Sequence, residues 1–455
     1  MSALRYTFNQ WTKRQLARRY LAEERALYAL SQEAYWQYVI GRFAGVYDYA
    51  RTTVPYYREE KYPRLDFSKI QTRADLYSVL GDLPILQKAT VKANNEAFLA
   101  PKKWWRADHT TSGTSGSPLR IRSSLVEKSR LYAIKHAWYG HVGARPFPRM
   151  LLLSGGFVPK PGQIGEVVPG LGHLRISIYD LIPENRQRIS ELMERVRPEV
   201  ISGYASAVHL LAQVFAGEPY AGRDGCVAIT TAEVLQPDWR PAIENNLART
   251  LRNYYSSQEG AIGAFELTPN VLSLHPHMGI MEVLDEGGRP SADGSGACVQ
   301  TGLLRQSMPL IRYAIRDHVE GFTHAVRPET GVSWPSILGV GGRSEDLVRT
   351  RSGARVGYLA FHSTKQLPDL VEAQIVQRDY EVFDVHLVVT DTADRPATER
   401  HIRGQMEERL KTPLTLHFHY PDFIPRGAND KFKAVVVDFS DDATTVPAAK
   451  SNQPR

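Results

Sequence analysis

Three short apolar runs, each closed by small or polar residues, set the strongest limit on how this chain can fold. Arg149-Met-Leu-Leu-Leu-Ser-Gly-Gly reads as a buried strand running into a glycine turn. Pro198-Glu-Val-Ile-Ser-Gly-Tyr-Ala-Ser-Ala reads as strand, turn and helix start, and Val227-Ala-Ile-Thr-Thr-Ala-Glu as a strand with polar residues at its end. Helical patterns lie between and before them, at Leu125 to Val142 and Ser190 to Val196. Repeated strand–turn–helix units imply a largely parallel sheet covered by helices. In such sheets ligands sit outside the carboxyl ends of the strands. The residues at those ends are Ser154, Ser202 to Tyr204, and Thr231 to Glu233.

The rest of the chain supplies smaller layers around that sheet. Residues from Trp11 to Ala50 repeat apolar positions near the helical period, and Thr53-Val-Pro-Tyr-Tyr-Arg ends them, because proline stops a helix and pushes its predecessor to extended geometry. Met281 to Leu284 and Gly296 to Leu303 alternate like strands of a small β layer. Near the C-terminus, Phe383 to Thr390 reads as a strand, Ala397 to Leu410 as a charged helix and Leu414 to Tyr420 as a strand, with Gly339-Val-Gly-Gly as a natural pivot before them. The predicted class is α/β. Residues 1–342 form a large N-terminal domain of mostly parallel sheets flanked by helices plus a small β layer, with a helical lead-in over about 1–100. Residues 343–440 form a small, mobile α+β C-terminal domain, and 441–455 a disordered polar tail.

Composition narrows the partners. A formal net charge of +7 favours anionic ligands such as nucleotides. There is no long Lys/Arg block, so nucleic acid is not an expected partner. No apolar run approaches the length of a membrane span, and the N-terminus lacks the apolar core of a signal peptide, which predicts a cytoplasmic protein with no membrane partner. Cys226 and Cys298 are far apart in sequence and read as reduced thiols. His275-Pro-His277 has no cysteine near it and reads as core or surface histidines, not a metal site.

One stretch is not explained by folding alone. His109-Thr-Thr-Ser-Gly-Thr-Ser-Gly-Ser-Pro-Leu119 packs six hydroxyl side chains and two glycines into a run closed by proline. Glycines let backbone N–H groups converge on an anion, and the hydroxyls add donors, so the stretch reads as a phosphate-holding loop. It lacks the Gly-x-x-x-x-Gly-Lys-Ser/Thr pattern of the P-loop.

Thr111-Ser-Gly-Thr-Ser-Gly-Ser-Pro resembles the phosphate loop of the adenylate-forming enzymes, and the lead-in, with Val54-Pro-Tyr-Tyr and Leu83-Pro-Ile-Leu-Gln-Lys, resembles their phenylacetate–coenzyme A ligase branch. Further motifs follow in the family's order from about residue 53 to 434. Asn253-Tyr-Tyr-Ser-Ser-Gln-Glu is similar to the family's Tyr-Gly-x-Thr-Glu, with Tyr255 and Glu259 matching, Ser256 in place of glycine and Gln258 in place of threonine. Pro309-Leu-Ile-Arg-Tyr-Ala-Ile-Arg-Asp317 resembles the ribose-binding stretch, Gly342-Arg-Ser-Glu-Asp the hinge, and Arg351-Ser-Gly-Ala-Arg the turn of the thioester-forming orientation. Pro425-Arg-Gly-Ala-Asn-Asp-Lys431 is similar to Pro-Arg-x-x-x-Gly-Lys, with Lys433 the competing lysine.

What the resemblance implies is specific. ATP is held by Thr111, Ser112, Gly113, Thr114, Ser115 and Gly116, by Ala232, Glu233, Tyr255, Ser256 and Gln258, and by Asp317 and Arg343. Glu259 binds Mg²⁺ and serves catalysis together with Lys431. Tyr132, Trp138 and Tyr204 contact the acid. The implied reaction joins a small-molecule carboxylic acid, aromatic as the family branch implies, to AMP with release of pyrophosphate, then passes it to the thiol of coenzyme A or of a carrier protein. Transfer to an amine or a reductase, a degenerate nucleotide binder without turnover, and a non-enzymatic basic scaffold are the alternatives.

Overall fold

The computed structural model of the chain describes residues 3–439 except 60, 102–105, 111–118, 155–156, 158, 169, 234, 236–238, 258, 285–289, 292, 342–346, 352–354, 358–366, 368, 423 and 426–434. Its described residues divide into two compact units, those up to 341 in the first and those from 347 on in the second. No helix of the described residues is long and apolar enough to cross a membrane.

The first unit opens with helices α1 (Ala3–Ala26) and α2 (Gln32–Thr53). Ser31 caps α2 by accepting from the Ala34 N–H at 3.2 Å, and the extended Val54 before Pro55 ends it. Positions three and four apart, among them Tyr35, Trp36, Val39, Ile40, Phe43 and Tyr47, turn one face of α2 into the core. Helices α3 (Arg73–Asp82) and α4 (Lys88–Ala93) follow. Strands β1 (Arg106–Thr110) and β2 (Arg120–Ser124) then pair antiparallel and lead into α5 (Leu125–His141). A reciprocal cap starts α5: the Glu127 N–H donates to Ser124 Oγ at 3.2 Å and the Ser124 N–H donates to Glu127 Oε2 at 2.7 Å.

The main sheet takes strands β3 (Met150–Ser154), β4 (Gly165–Val168), β5 (His173–Ser177), β6 (Val200–Tyr204), β7 (Val227–Thr231), β8 (Thr250–Ser256), β9 (Gly263–Thr268) and β10 (Val271–Leu274). Helices α6 (Arg186–Val196), α7 (Ala205–Val214) and α8 (Trp239–Asn246) lie between them in the chain. Further on come β11 (Gly279–Leu284), β12 (Pro290–Ser291), β13 (Gly294–Gly302), β14 (Tyr313–Phe322), β15 (Ser336–Ile337) and β16 (Gly339–Gly341). The main sheet has the order β15-β10-β9-β8-β7-β6-β3-β5-β4. Its centre, β5-β3-β6-β7-β8, is parallel as the strand–turn–helix units predict, while the strands on both sides join antiparallel. Both faces are buried. Met150, Val200, Val227 and Ile229 enter one core with α2 and α5, and Leu151, Ile201 and Ala228 enter the other with α6, α7 and α8.

The small β layer is a five-stranded antiparallel sheet, β12-β11-β13-β14-β16. Gly279 and Gly302 face each other across β11 and β13. A Cβ on Gly279 would sit 1.8 Å from the Ala261 carbonyl oxygen and 2.7 Å from that of Thr301. The turn after β8 therefore rests directly on this sheet because no side chain intervenes. Gly279→Ala is expected to cost about 3 kcal/mol, since the obstacle is backbone that cannot swing away. Gly45→Ala, in α2 with open space where its Cβ would go, is expected to stabilise by about 0.5–1 kcal/mol. Urea unfolding of both variants checks the pair.

The second unit holds β17 (Leu347–Arg349), β18 (Arg355–Gly357), β19 (Leu370–Asp379), β20 (Val382–Val389), α9 (Arg395–Leu410), β21 (Thr415–His419) and β22 (Val435–Val437). Its main sheet has the order β21-β20-β19-β22, with β19 and β20 antiparallel and the outer two joined parallel. Phe383, Val385 and Leu387 point to one face and form its core with Ile402 and Met406 of α9.

Candidate active site

The carboxyl ends of the parallel strands are in register: Tyr204 pairs with Thr231, and Thr231 with Tyr254. Thr231 Oγ1 donates to the Tyr254 carbonyl at 3.0 Å, and Ala232 then turns away with a φ of 68°. That is the left-handed region, costly for a residue with a Cβ, and it lies at the strand end where the sheet's geometry places ligands. Tyr204 ends β6 and leads into α7, Ala232 and Glu233 follow β7, and Ser256 ends β8.

One residue beyond Tyr254, Tyr255 leaves the strand end toward the small sheet. Its hydroxyl donates to Asp317 Oδ2 at 2.8 Å and accepts from Gln300 Nε2 at 3.0 Å. Burial, then the neighbouring Asp317 charge, pushes the Tyr255 phenol well above its ordinary pKa, so it keeps the proton that it gives to the carboxylate. Asp317 owes its aim to an irregularity. The β13–β14 register passes from Val299↔Ala314 to Ala297↔His318, so β14 carries two residues more than β13 over that interval. A bulge of this kind bends the strand and re-aims a side chain. Arg312, just before β14, is engaged with other residues. It pairs with the buried Glu282, with Nη2 to Oε1 at 3.1 Å, and donates to the carbonyls of Gly81 and Leu83.

Glu259 sits on the turn after β8, its side chain almost wholly buried. Its Oε1 accepts from the Tyr313 hydroxyl at 3.3 Å, and its backbone carbonyl accepts from Arg305 Nη1 at 2.6 Å. Gly260 follows with a φ of 63°, and a Cβ there would meet Arg305 Nη2 at 2.4 Å, so glycine is what lets the guanidinium lie against the turn. Burial holds the Arg305 guanidinium down, to about 10, against the pull of Glu127 and Glu259. Glu127, the cap of α5, closes the group: its Oε1 accepts the N–H of Gln306 at 2.9 Å and of Ser307 at 2.8 Å. The buried Glu259 carboxylate, held by the Tyr313 phenol on the turn after β8, offers hard oxygen of the kind that Mg²⁺ carried on phosphate takes.

Two expected contacts move. Trp138 is fully buried; its indole N–H donates to the Glu266 carbonyl at 3.2 Å, and its ring packs against Tyr254 and Phe265, with centroids 5.9 and 5.0 Å away. It is part of the core that α2 and α5 share with the main sheet. Tyr132 stands edge-on to His136 at 4.2 Å, beside Phe147, which precedes the amino end of β3. Thr111, Ser112, Gly113, Thr114, Ser115, Gly116, Gln258, Arg343, Gly353, Lys431 and Lys433 lie outside the described residues. Gln300, Arg305, Tyr313 and Glu127 are the residues that sequence reasoning did not assign. Of these only Glu127 had a local signal, the Ser-x-x-Glu capping box.

Known proteins share this fold. The structure aligns with 2-hydroxyisobutyryl-CoA ligase in complex with 2-HIB-AMP and CoA in the thioesterification state at a TM-score of 0.54 and 19% identity, covering 88% of this chain and 89% of that one. An open conformation of the same ligase, with 2-HIB-AMP and CoA, gives 0.52 and 19%, covering 88% and 91%. The chain has the fold of this ligase. In sequence it is similar to protein CapK of Staphylococcus aureus, 24% identical over 402 residues, which is 86% of each protein. The family described as the CapK C-terminal domain matches residues 349–438.

Proposed function

We propose that this protein activates a carboxylic acid with ATP, forming an acyl-adenylate and pyrophosphate, and then transfers the acyl group to a thiol. The observation that carries the reading is the Tyr255–Asp317–Gln300 junction beside Glu259 at the carboxyl ends of the parallel strands. Support comes from the order of the sequence motifs and from the fold, which 2-hydroxyisobutyryl-CoA ligase displays around an acyl-adenylate and CoA. In the first step a carboxylate oxygen attacks the α-phosphorus and the bond to the pyrophosphate oxygen breaks. In the second a thiol sulfur attacks the acyl carbon, AMP leaves and the thiol proton is released.

In this proposal Asp317 accepts the ribose hydroxyls while Tyr255, held by Gln300, fixes the carboxylate's rotamer. Glu259 holds Mg²⁺, which neutralises phosphate charge when bound. The 111–117 loop and Arg343 bind the phosphates, and Lys431 places a cation beside the reacting carboxylate. Tyr204, Ala232 and Glu233 line the space for the acid and the adenine. An aryl acid as substrate, coenzyme A as acceptor and the phenylacetate–coenzyme A ligase type are the finer form of the same proposal.

ATP–pyrophosphate exchange across a panel of aryl, hydroxy and aliphatic acids tests it. Exchange dependent on one acid class supports the reading. No exchange with any acid, together with no rise in melting temperature at millimolar MgATP, overturns it. Asp317→Asn keeps an oxygen for the Tyr255 hydroxyl but removes the charge that meets the ribose. It is expected to raise KM for ATP by about ten- to a hundredfold, the worth of a charged hydrogen bond, while leaving KM for the acid in place. Equal losses for both substrates would make Asp317 a structural residue.

A further inference from the structure

The second unit carries a polar cluster that acid activation does not use. Asp384 and His386 are two apart on β20 and so share the face opposite Phe383, Val385 and Leu387, which are buried in the core. β21 lies beside β20 in parallel register and sets His419 opposite His386. The two imidazoles are stacked, with centroids 4.7 Å apart and planes 19° from parallel, and His419 Nε2 lies 3.5 Å from Asp384 Oδ1. One ligand atom from each of the three lies within 4.8 Å of the other two. Among the described residues this is the one such group of three metal-capable side chains. The other carboxylate oxygen of Asp384 is fixed by Arg378, whose Nε donates to Oδ2 at 2.7 Å, which leaves Oδ1 turned to the histidines.

We propose that Asp384, His386 and His419 form a binding site for a divalent transition-metal ion of the Zn²⁺ class, fastening the edge strand β21 to β20. An ion pair with Arg378 accounts for the Asp384 carboxylate, but it does not account for two imidazoles stacked beside it. Two imidazole nitrogens and one carboxylate oxygen are a donor set suited to Zn²⁺, Co²⁺ or Ni²⁺, with the remaining positions open to water because His419 is exposed. Mg²⁺ and Ca²⁺ prefer oxygen alone. His417 stands one register step away on the same face, opposite Asp384, and is not part of the triad.

The test uses the full chain without an affinity tag. Co²⁺ alone is titrated and followed by its visible absorption, then displaced with Zn²⁺, with Mg²⁺ as the control. One equivalent of Co²⁺ is expected, displaced by Zn²⁺ and indifferent to Mg²⁺. Either His386→Gln or His419→Gln should weaken binding by at least about tenfold, the loss typical of disturbing even an outer partner of a metal ligand. Zn²⁺ should raise the melting temperature of the wild type and not of these variants. Absence of stoichiometric Co²⁺ binding, binding unchanged in both variants, or binding lost in His417→Ala but not in them overturns the proposal. Acid activation rests on none of these residues, so the two readings fail independently.

Discussion

Glu259→Gln is expected to slow acid-dependent ATP–pyrophosphate exchange by about 10²–10³-fold, the usual weight of one preorganised electrostatic group, with the melting temperature nearly unchanged. The substitution is close to isosteric. Glutamine keeps an oxygen for the Tyr313 hydroxyl, which lies 3.3 Å from Glu259 Oε1, and the bond from Arg305 goes to the backbone carbonyl and survives. What disappears is one negative charge, the part that a hard cation on the triphosphate needs. Raising Mg²⁺ should therefore recover part of the rate in the variant and little in the wild type. Tyr313→Phe, which removes the brace and leaves the charge, should cost much less. Wild-type exchange in Glu259→Gln would remove Glu259 from the chemistry. A loss that no Mg²⁺ concentration relieves would assign it to positioning the turn.

The parts of this architecture that could be read in the sequence are those whose signal is local. Met150–Leu153, Val200–Ile201 and Val227–Ile229 announce buried strands because adjacent apolar residues face opposite cores, and small or polar residues close each run. The capping residues Ser31, Thr72 and Ser124 announce helix starts in the same way. The antiparallel flanks of the main sheet carry no such mark, since a short apolar run does not state the direction of its neighbour. Trp138 is hard to place for a related reason: an aromatic on a helix looks alike in sequence whether it fills a core or lines a pocket, and its packing against Phe265 and Tyr254 is visible only in the structure.

The site itself is mostly non-local. Tyr255 and Asp317 are 62 residues apart, and Asp317 lies in the interval where the β13–β14 register shifts. Family resemblance identified both residues, but neither periodicity nor charge would have paired them. Gln300 and Arg305 are ordinary polar residues in sequence; their meaning depends on which way a strand faces and on a glycine at 260 that leaves room for a guanidinium. The same holds for Glu24 of α1, fully buried against His277 at 3.1 Å across 253 positions of chain.

Acid is expected to unfold the first unit well above the pKa of its carboxylates, through its buried histidines. Burial drives the imidazole of His136 down to about 3, helped by the positive neighbours His173, Arg14 and Lys135. It drives His173 to about 4 and His275 to about 3, the latter against the pull of Glu24. The Phe147 N–H donates to His136 Nδ1 at 3.1 Å, a bond that requires the neutral ring with its proton on Nε2. In the unfolded chain all three protonate near the ordinary value of about 6.5. As pH falls from about 6.5 toward 4, the unfolded state therefore binds up to three more protons than the folded one, and stability falls with pH. Each histidine contributes about 1.4 kcal/mol per pH unit, so the limiting slope is about 4 kcal/mol per unit, against a total stability of about 5–15 kcal/mol. Glu24 adds to the loss lower down. Burial raises its pKa, but the hydrogen bond and charge of His277 outweigh that, together with His275 and Arg130, and hold it below the ordinary value. Urea unfolding at pH 7, 6 and 5, followed by tryptophan fluorescence, should show midpoints that drop at each step and a steeper drop at the second. His136→Gln, which cannot protonate in this range, should flatten the slope by roughly a third even if it lowers the starting stability. A midpoint constant from pH 7 to 5 would mean that the three rings find protons, or water, in the folded protein.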